Sequence, residues 1–226
     1  MEKEVQKIGI FGGTFDPIHY GHLKTAKSIL EAVGLDLIYI VPSYISPHKP
    51  AGEITHAIHR YAMVVLATID EERLVPSTVE IERSKPSYTI DTIKEFRNRF
   101  PEEKIFFITG SDSFAEITTW KDYEKLLGDC LFLVNLRAGV PFSRLNHLPQ
   151  EIRERTVELT SSNPSEAERA IKEWGERKGA SIFLVKTPEI PISSTEIRER
   201  ITAGKRFDHL LPERVARYIE RLNLYR

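Results

Sequence analysis

The chain reads as an α/β protein built on a doubly wound, open parallel sheet with helices on both faces and a C-terminal helical part. Two features carry that reading: short runs that are apolar almost throughout, and helix-length amphipathic segments between them. Strands buried on both faces have no polar side to show, whereas half-exposed antiparallel strands alternate. A third feature, glycine and proline placed as punctuation at the ends of the runs, sets the element boundaries.

Lys7-Ile8-Gly9-Ile10-Phe11 is the first strand, closed by Gly12-Gly13. Asp16-Pro17 marks a turn, after which Leu23, Ala26, Leu30 and Val33 recur at helical spacing up to Gly34. Leu37 to Val41 forms a second strand ending at Pro42, and Ile58, Ala62, Val65 and Ile69 mark the core face of a second helix. Leu74 to Ile81 reads as a weaker strand, because Pro76 cannot donate to a ladder. Thr89 to Phe100 carries Ile93, Phe96 and Phe100 on one helical stripe, and Ile105 to Ile108 is a strand of bulky apolar residues. Phe114 to Leu127 is expected to be helical with Gly128 as its stop, followed by a buried strand from Cys130 to Leu136.

From Ala138 to Gly179 the simple alternation lapses. Within it Asn163-Pro164-Ser165-Glu166 signals a helix start, with Asn as cap, Pro at the first position and Glu three residues after the cap; Ala167, Ala170, Ile171 and Trp174 follow. Ser181 to Val185 is a final strand, a helix runs from Thr195 to Ala203 and closes at Gly204, and a last helix from Pro212 turns Val215, Ile219 and Leu222 inward. The expected sheet has about five strands, a usual number for open sheets. Nothing resembling a linker interrupts the chain, so a single domain over 1–226 is expected, with 138–180 as a longer inserted segment and 193–226 as the C-terminal helical part.

Composition removes several function classes. With 41% apolar and 29% charged residues the chain can bury a sizeable core, and its 12 glycines and 13 prolines form no tract. No apolar run approaches the roughly 18 residues that a bilayer crossing needs, and Met1 to Val5 leads directly into the first strand, so neither membrane insertion nor export is expected. The 32 Lys plus Arg nearly balance 33 Asp plus Glu, which leaves no global field for nucleic acid. The one cysteine, Cys130, lies in an apolar run and reads as a small buried hydrophobe in a cytoplasmic chain.

Ligands of doubly wound sheets bind outside the carboxyl ends of the strands, and the unusual residues lie in the loops there. Gly12-Gly13-Thr14-Phe15-Asp16-Pro17-Ile18-His19-Tyr20-Gly21-His22 joins the first strand to its helix. Adjacent glycines let backbone approach a ligand, and His22 falls in the first turn of a helix whose free N–H groups attract anions, so this loop reads as a phosphate site. It matches neither the dinucleotide G-x-G-x-x-G fingerprint nor the P-loop. A second anion candidate is Pro191-Ile192-Ser193-Ser194-Thr195-Glu196-Ile197-Arg198. Ser193 and Glu196 have capping-box spacing, but Arg198 in the first turn of a helix opposes the dipole unless an anion lies nearby. Simple capping and a polyphosphate clamp both remain open on these residues alone.

Together these two segments resemble the H-x-G-H nucleotidyltransferase superfamily, and within it the bacterial nicotinate-nucleotide adenylyltransferases. Intermediate motifs agree and follow the family's order: Val41-Pro42 leading to Pro47-His48-Lys49, Pro86-Ser87-Tyr88-Thr89-Ile90-Asp91-Thr92, Gly110-Ser111-Asp112, Trp120-Lys121, and Leu211-Pro212-Glu213. Two departures are Ser46, where many members have proline, and the length of the stretch between Arg137 and Ser181.

The resemblance implies a Rossmann-like fold and transfer of AMP from ATP to nicotinate mononucleotide, giving nicotinate adenine dinucleotide and pyrophosphate. It places Gly12, Gly13, Thr14, Phe15, His19 and His22 at the ATP phosphates, and Ser193, Ser194, Thr195 and Arg198 on the opposite side of the triphosphate. Mg²⁺ would accompany ATP with few or no protein ligands. Gly110 and Asp112 would meet the ATP ribose, although Asp112 could equally cap a helix; Lys49 would meet a phosphate or remain a solvated loop lysine. Trp120 would stack on the pyridine ring of the acceptor, with Tyr88 and Thr89 donating to its carboxylate. Oligomeric state, including a homo-oligomer, is left open.

Related readings are an enzyme for nicotinamide mononucleotide or for both acid and amide, a phosphopantetheine adenylyltransferase, and a cytidylyltransferase. A nucleotide-binding module without turnover is disfavoured by two complete phosphate motifs. A class I aminoacyl-tRNA synthetase is disfavoured by the short chain and by Ser-Ser-Thr-Glu-Ile-Arg in place of a lysine-rich loop.

Overall fold

The computed structural model describes residues 5–45, 54–137, 145–159, 163–178, 181–188 and 190–226. The first half alternates strand and helix: β1 (Lys7–Gly13), α1 (Tyr20–Val33), β2 (Leu37–Pro42), α2 (Ala57–Thr68), β3 (Leu74–Pro76), α3 (Val79–Arg83) and α4 (Thr89–Arg99). The second half continues with β4 (Lys104–Gly110), α5 (Ser111–Phe114), α6 (Tyr123–Asp129), β5 (Leu131–Arg137), α7 (Gln150–Glu154), β6 (Thr156–Leu159), α8 (Pro164–Lys178), β7 (Ile182–Thr187), α9 (Ser194–Thr202) and α10 (Glu213–Arg221). Single 3₁₀ turns lie at Ile117–Thr119 and Asp208–Leu210.

All strand pairings are parallel, in the order β3-β2-β1-β4-β5-β7-β6. The chain works outward from β1 through β2 to β3, then returns to start β4 on the other side of β1, with Phe11 paired to Ile108. That reversal opens a crevice beyond the carboxyl ends of β1 and β4, since their crossovers leave in opposite directions. The sheet is the Rossmann-like architecture expected, with seven strands instead of about five.

Strand periodicity splits the core into two layers. On β4, Phe106 and Ile108 face one layer with Leu30, Met63 and Val64, while Ile105 and Phe107 face the other with Ile93, Phe96 and Phe132. Leu23, Ala26, Leu30 and Val33 are buried as expected, and Cys130 is buried with its thiol pushed up to about 12 by burial. The Asn163 side chain caps α8 by accepting from the Ser165 N–H at 3.0 Å. Trp174's side chain lies outside the described set. No described helix is long and apolar enough to cross a membrane.

Five points of the sequence reading need correction. Leu74 to Ile81 is not one strand: pairing stops at Pro76, and Val79 begins α3, whose first turn carries Glu80 and Glu82 and so suits a helix N-terminus. The segment from Phe114 to Leu127 is broken into α5, a 3₁₀ turn and α6, because Trp120 is extended and Asp122 is left-handed at φ 52°; Gly128 lies inside α6, and Cys130 ends it. The edge strand β6 escaped notice because Thr156-Val157-Glu158-Leu159 pairs on one side only and carries polar residues.

The core face of α2 is Ala57, Arg60, Met63, Val64, Ala67 and Thr68, leaving Ile58 and Ile69 about 60% exposed. Apolar periodicity picked the opposite stripe because the buried face contains an arginine. Leu222 is likewise exposed, since α10 ends at Arg221 and buries Val215, Ala216 and Ile219.

Candidate active site

β1 delivers Gly12 and Gly13 to the crevice, and the chain then turns through Phe15, whose φ of 49° is left-handed although its ring is buried. Beneath this turn Asp16 is buried, its carboxylate accepting from the Thr55 N–H at 3.2 Å and the Tyr225 hydroxyl at 2.7 Å. Arg60, 1% exposed, sends its guanidinium from α2 to the carbonyls of Thr14 (2.7 Å), Ser43 (2.6 Å), Tyr44 (3.0 Å) and Thr55 (2.7 Å). A buried cation here satisfies loop carbonyls that no strand reaches.

The spacing of H-x-G-H has a local cause. His19 is the extended N-cap residue of α1 and His22 is its third helical residue, so the His22 side chain folds back to the cap. Its Nδ1 accepts from the His19 N–H at 3.3 Å, and the two rings stack at 3.8 Å. Accepting at Nδ1 places the proton of a neutral His22 on Nε2, which can donate to a ligand. Gly21 is required between them: a Cβ there would lie 2.8 Å from two atoms of the His19 ring. The first turn of α1 has no acidic residue to compete for an anion.

A cavity of about 810 Å³ occupies the crevice. One wall consists of Gly12 to Asp16, His22 and Ser194; the other of Ser87, Tyr88, Thr89, Trp120 and Lys121, with Asp112 between them. Tyr88 is the N-cap residue of α4, so Thr89 starts a helix N-terminus in that wall. Trp120 meets Phe107 edge-on at 6.0 Å while also lining the cavity, so packing and ligand contact are compatible. Lys121 lies 4.8 Å from the centre of the Tyr88 ring and pairs with Asp91 at 3.2 Å.

Ser193 caps α9 by accepting from the Glu196 N–H at 3.1 Å, while Glu196 itself pairs with Arg200. Ser194 Oγ donates to the Pro17 carbonyl at 2.9 Å. Arg198 Nη1 donates to the Asp16 carbonyl at 2.8 Å, and Nη2 lies 3.4 Å from Thr195 Oγ1. The second motif therefore folds directly against the first, joining residues over 170 positions apart. His19 is buried beneath the loop; Gly110, Ser193, Thr195 and Arg198 do not line the cavity, and Lys49 lies outside the described residues.

Sequence reasoning missed Arg60, Glu80 and the buried role of Asp16. Glu80 lines the cavity, receives the Thr92 hydroxyl at 2.6 Å, and has its pKa raised by burial against the opposing pull of Ser87, Thr92, Arg83 and Arg60. A lone arginine in the otherwise apolar run of α2 was the one available signal.

A parallel sheet whose first strand leads through H-x-G-H into a switch-point cavity defines a nucleotidyltransferase. The family model described as cytidylyltransferase-like matches residues 10–200. A "Probable nicotinate-nucleotide adenylyltransferase" of Thermoanaerobacter sp. (strain X514) is 41% identical over 227 residues, covering 100% of this chain and 97% of the relative. One of the same name from Moorella thermoacetica is 40% identical, covering 97% and 92%. The fold is shared with the Plasmodium falciparum nicotinic acid mononucleotide adenylyltransferase complexed with NaAD, at TM-score 0.70 and 21% identity over 97% of both chains. The chain belongs to the nicotinate-nucleotide adenylyltransferase family within the cytidylyltransferase-like proteins.

Proposed function

We propose that this chain transfers AMP from ATP to nicotinate mononucleotide, forming nicotinate adenine dinucleotide and pyrophosphate. The observation that carries the reading is the single cavity of about 810 Å³ running from the glycine and histidine wall to the Tyr88, Thr89 and Trp120 wall. One such space can hold two nucleotides with their phosphates meeting between the walls.

The acceptor's 5′-phosphate has a second pKa of about 6, so near neutral pH it is already a dianion and needs no strong base. One of its oxygens attacks the α-phosphorus of ATP, the bond from that phosphorus to the bridging oxygen breaks, and pyrophosphate leaves with the electron pair. Catalysis then consists of alignment and charge stabilisation. His22 Nε2–H and the backbone at Gly12 to Phe15 are proposed to donate to the phosphates, with His19 setting the ring of His22 by stacking. The family resemblance supports Ser193, Ser194, Thr195 and Arg198 on the triphosphate side, Gly110 and Asp112 at the ribose, Lys49 at a phosphate, and Trp120, Tyr88 and Thr89 at the nicotinate; of these, Ser194, Asp112, Trp120, Tyr88 and Thr89 line the cavity.

Mg²⁺ is proposed to enter as part of the MgATP substrate, neutralising charge on the transferred and leaving phosphates. The phosphate wall offers N–H and O–H donors, which suit phosphate oxygens, and the described residues hold no group of three or more His, Cys, Asp or Glu poised for a metal. The ion would be held chiefly by phosphate oxygens and water, with few or no protein ligands. The chain is taken to act as one nucleotidyltransferase domain in a reducing cytoplasm, where the buried Cys130 stays inert.

The deciding assay is pyrophosphate release with ATP and Mg²⁺, comparing nicotinate mononucleotide, nicotinamide mononucleotide and phosphopantetheine at matched concentrations. A large kcat/KM advantage for the nicotinate form is expected. Equal use of acid and amide would make the enzyme one of dual specificity, and no release with any acceptor would overturn the reading.

A further inference from the structure

We propose that Tyr225 is a positioning residue for the phosphate-binding loop, its hydroxyl holding the Asp16 carboxylate and thereby the backbone that leads into His19 and His22. This deepens the functional reading and rests on the 12–22 loop being the phosphate wall. Tyr225 does not line the cavity, whereas Asp16 does. The bond between them, 2.7 Å, joins residues 209 positions apart.

Further hydrogen bonds of the 14–17 segment hold the same loop. Its second carboxylate oxygen takes the Thr55 N–H, its carbonyl takes Arg198, the Pro17 carbonyl takes Ser194, and the Thr14 carbonyl takes Arg60. The loop is thus tied from α2, from α9 and from the segment after α10, and Tyr225 supplies the last of these ties. Tyr225 is itself anchored: its carbonyl accepts from Thr202 Oγ1 at 2.9 Å, and its ring packs against the core layer that contains Phe15 and Ile18.

Backbone conformation supports the assignment independently. Among the described residues five that are not glycine have positive φ, and two of them, Phe15 at 49° and Tyr225 at 67°, are the residue preceding Asp16 and the residue that bonds its carboxylate. Such conformations persist where surrounding contacts over-determine them, and they gather at functional sites. Burial, with the adjacent Asp16 carboxylate adding to it, pushes the Tyr225 phenol up, so it remains a donor across the working pH range.

Y225F removes the hydroxyl and little else. With wild-type turnover of ATP and nicotinate mononucleotide as reference, kcat/KM for ATP is expected to fall about tenfold or more, the scale of a hydrogen bond to a charged group. The KM for nicotinate mononucleotide and the far-ultraviolet circular dichroism should not change. D16N, which leaves one acceptor oxygen for the two donors Tyr225 O–H and Thr55 N–H, should show an ATP-side loss at least as large, and the double variant should be no worse than D16N alone, because the Tyr225–Asp16 bond is common to both changes. If Y225F fails to fold, D16N is judged on the same readout.

An ATP kcat/KM within twofold of wild type, additive losses, or equal damage to both substrates together with a lowered Tm would overturn the proposal. A wild-type chain that releases no pyrophosphate would instead unseat the functional reading. The proposal would then be decided by calorimetric ATP affinity, which must weaken in Y225F.

Discussion

His22 is proposed to work through two nitrogens with different duties: Nδ1 accepts from the His19 N–H, and Nε2 is assigned to a phosphate in the cavity that His22 lines. Replacing it with alanine should lower kcat at least about a hundredfold, the scale of losing a transition-state donor, without unfolding the chain. Near-normal turnover in a pyrophosphate assay would remove the assigned role. Trp120 tests the other wall. Trp120→Ala is expected to raise the KM for nicotinate mononucleotide while leaving that for ATP close to wild type; equal damage to both would make the indole a packing residue against Phe107. The motif residues that line the cavity, Gly12 to Phe15, His22, Tyr88, Thr89, Asp112, Trp120 and Ser194, were legible as candidates because phosphate and aromatic ligands restrict residue type. Asp16 stands within a motif, but its carboxylate's partners, Thr55 and Tyr225, carry no signal in the linear chain.

The helix α2 shows how an element is oriented by one polar group. Its exposed stripe, with Ile58 and Ile69, is as apolar as its buried one, so hydrophobicity alone does not choose between them. Arg60 chooses, because four loop carbonyls between β1, β2 and α2 need donors. Arg60→Met should destabilise the fold by about 3 kcal/mol, as each buried carbonyl left without a donor carries a desolvation cost. Urea denaturation checks this, and a loss under about 0.5 kcal/mol, ordinary for surface changes, would contradict it. The end of α9 was readable from the sequence for the complementary reason. Gly204 adopts φ 65°, and the N–H groups of Gly204 and Lys205 close on Ile201 and Arg200, a stop that depends on neighbouring residues only.

For the molecule as a whole, the buried Glu80 links stability to pH. Burial raises its folded-state pKa above the ordinary 4.5, so between those two values the folded protein holds a proton that the unfolded chain has released. Stability from this group is full below the unfolded value and declines as pH rises through the folded one, then levels off. Denaturation of wild type and E80Q from pH 4 upward should show the wild type losing ground to the variant across that window. Parallel profiles would mean that Glu80 does not titrate there. Glu80 also lines the cavity beside Ser87 and takes the Thr92 hydroxyl, so the same experiment reads the electrostatics of that lining.

Short-range physics was written in the linear chain: apolar runs for the inner strands, caps at Asn163 and Ser193, the glycine turn and H-x-G-H, and with them the class of chemistry. These depend on neighbours within a few residues or on what phosphate demands of its donors. Three-dimensional packing settled the outcomes that rest on distant partners. It split Leu74 to Ile81 at Pro76, broke the helix expected after Phe114, added β6 at the edge, and turned α2 onto Arg60. It also brought Ser194, Arg198 and Tyr225 onto the loop of Asp16. A hydrogen bond across 209 residues leaves no periodicity in sequence, because its energy depends on where the fold places its two ends and not on what lies between them.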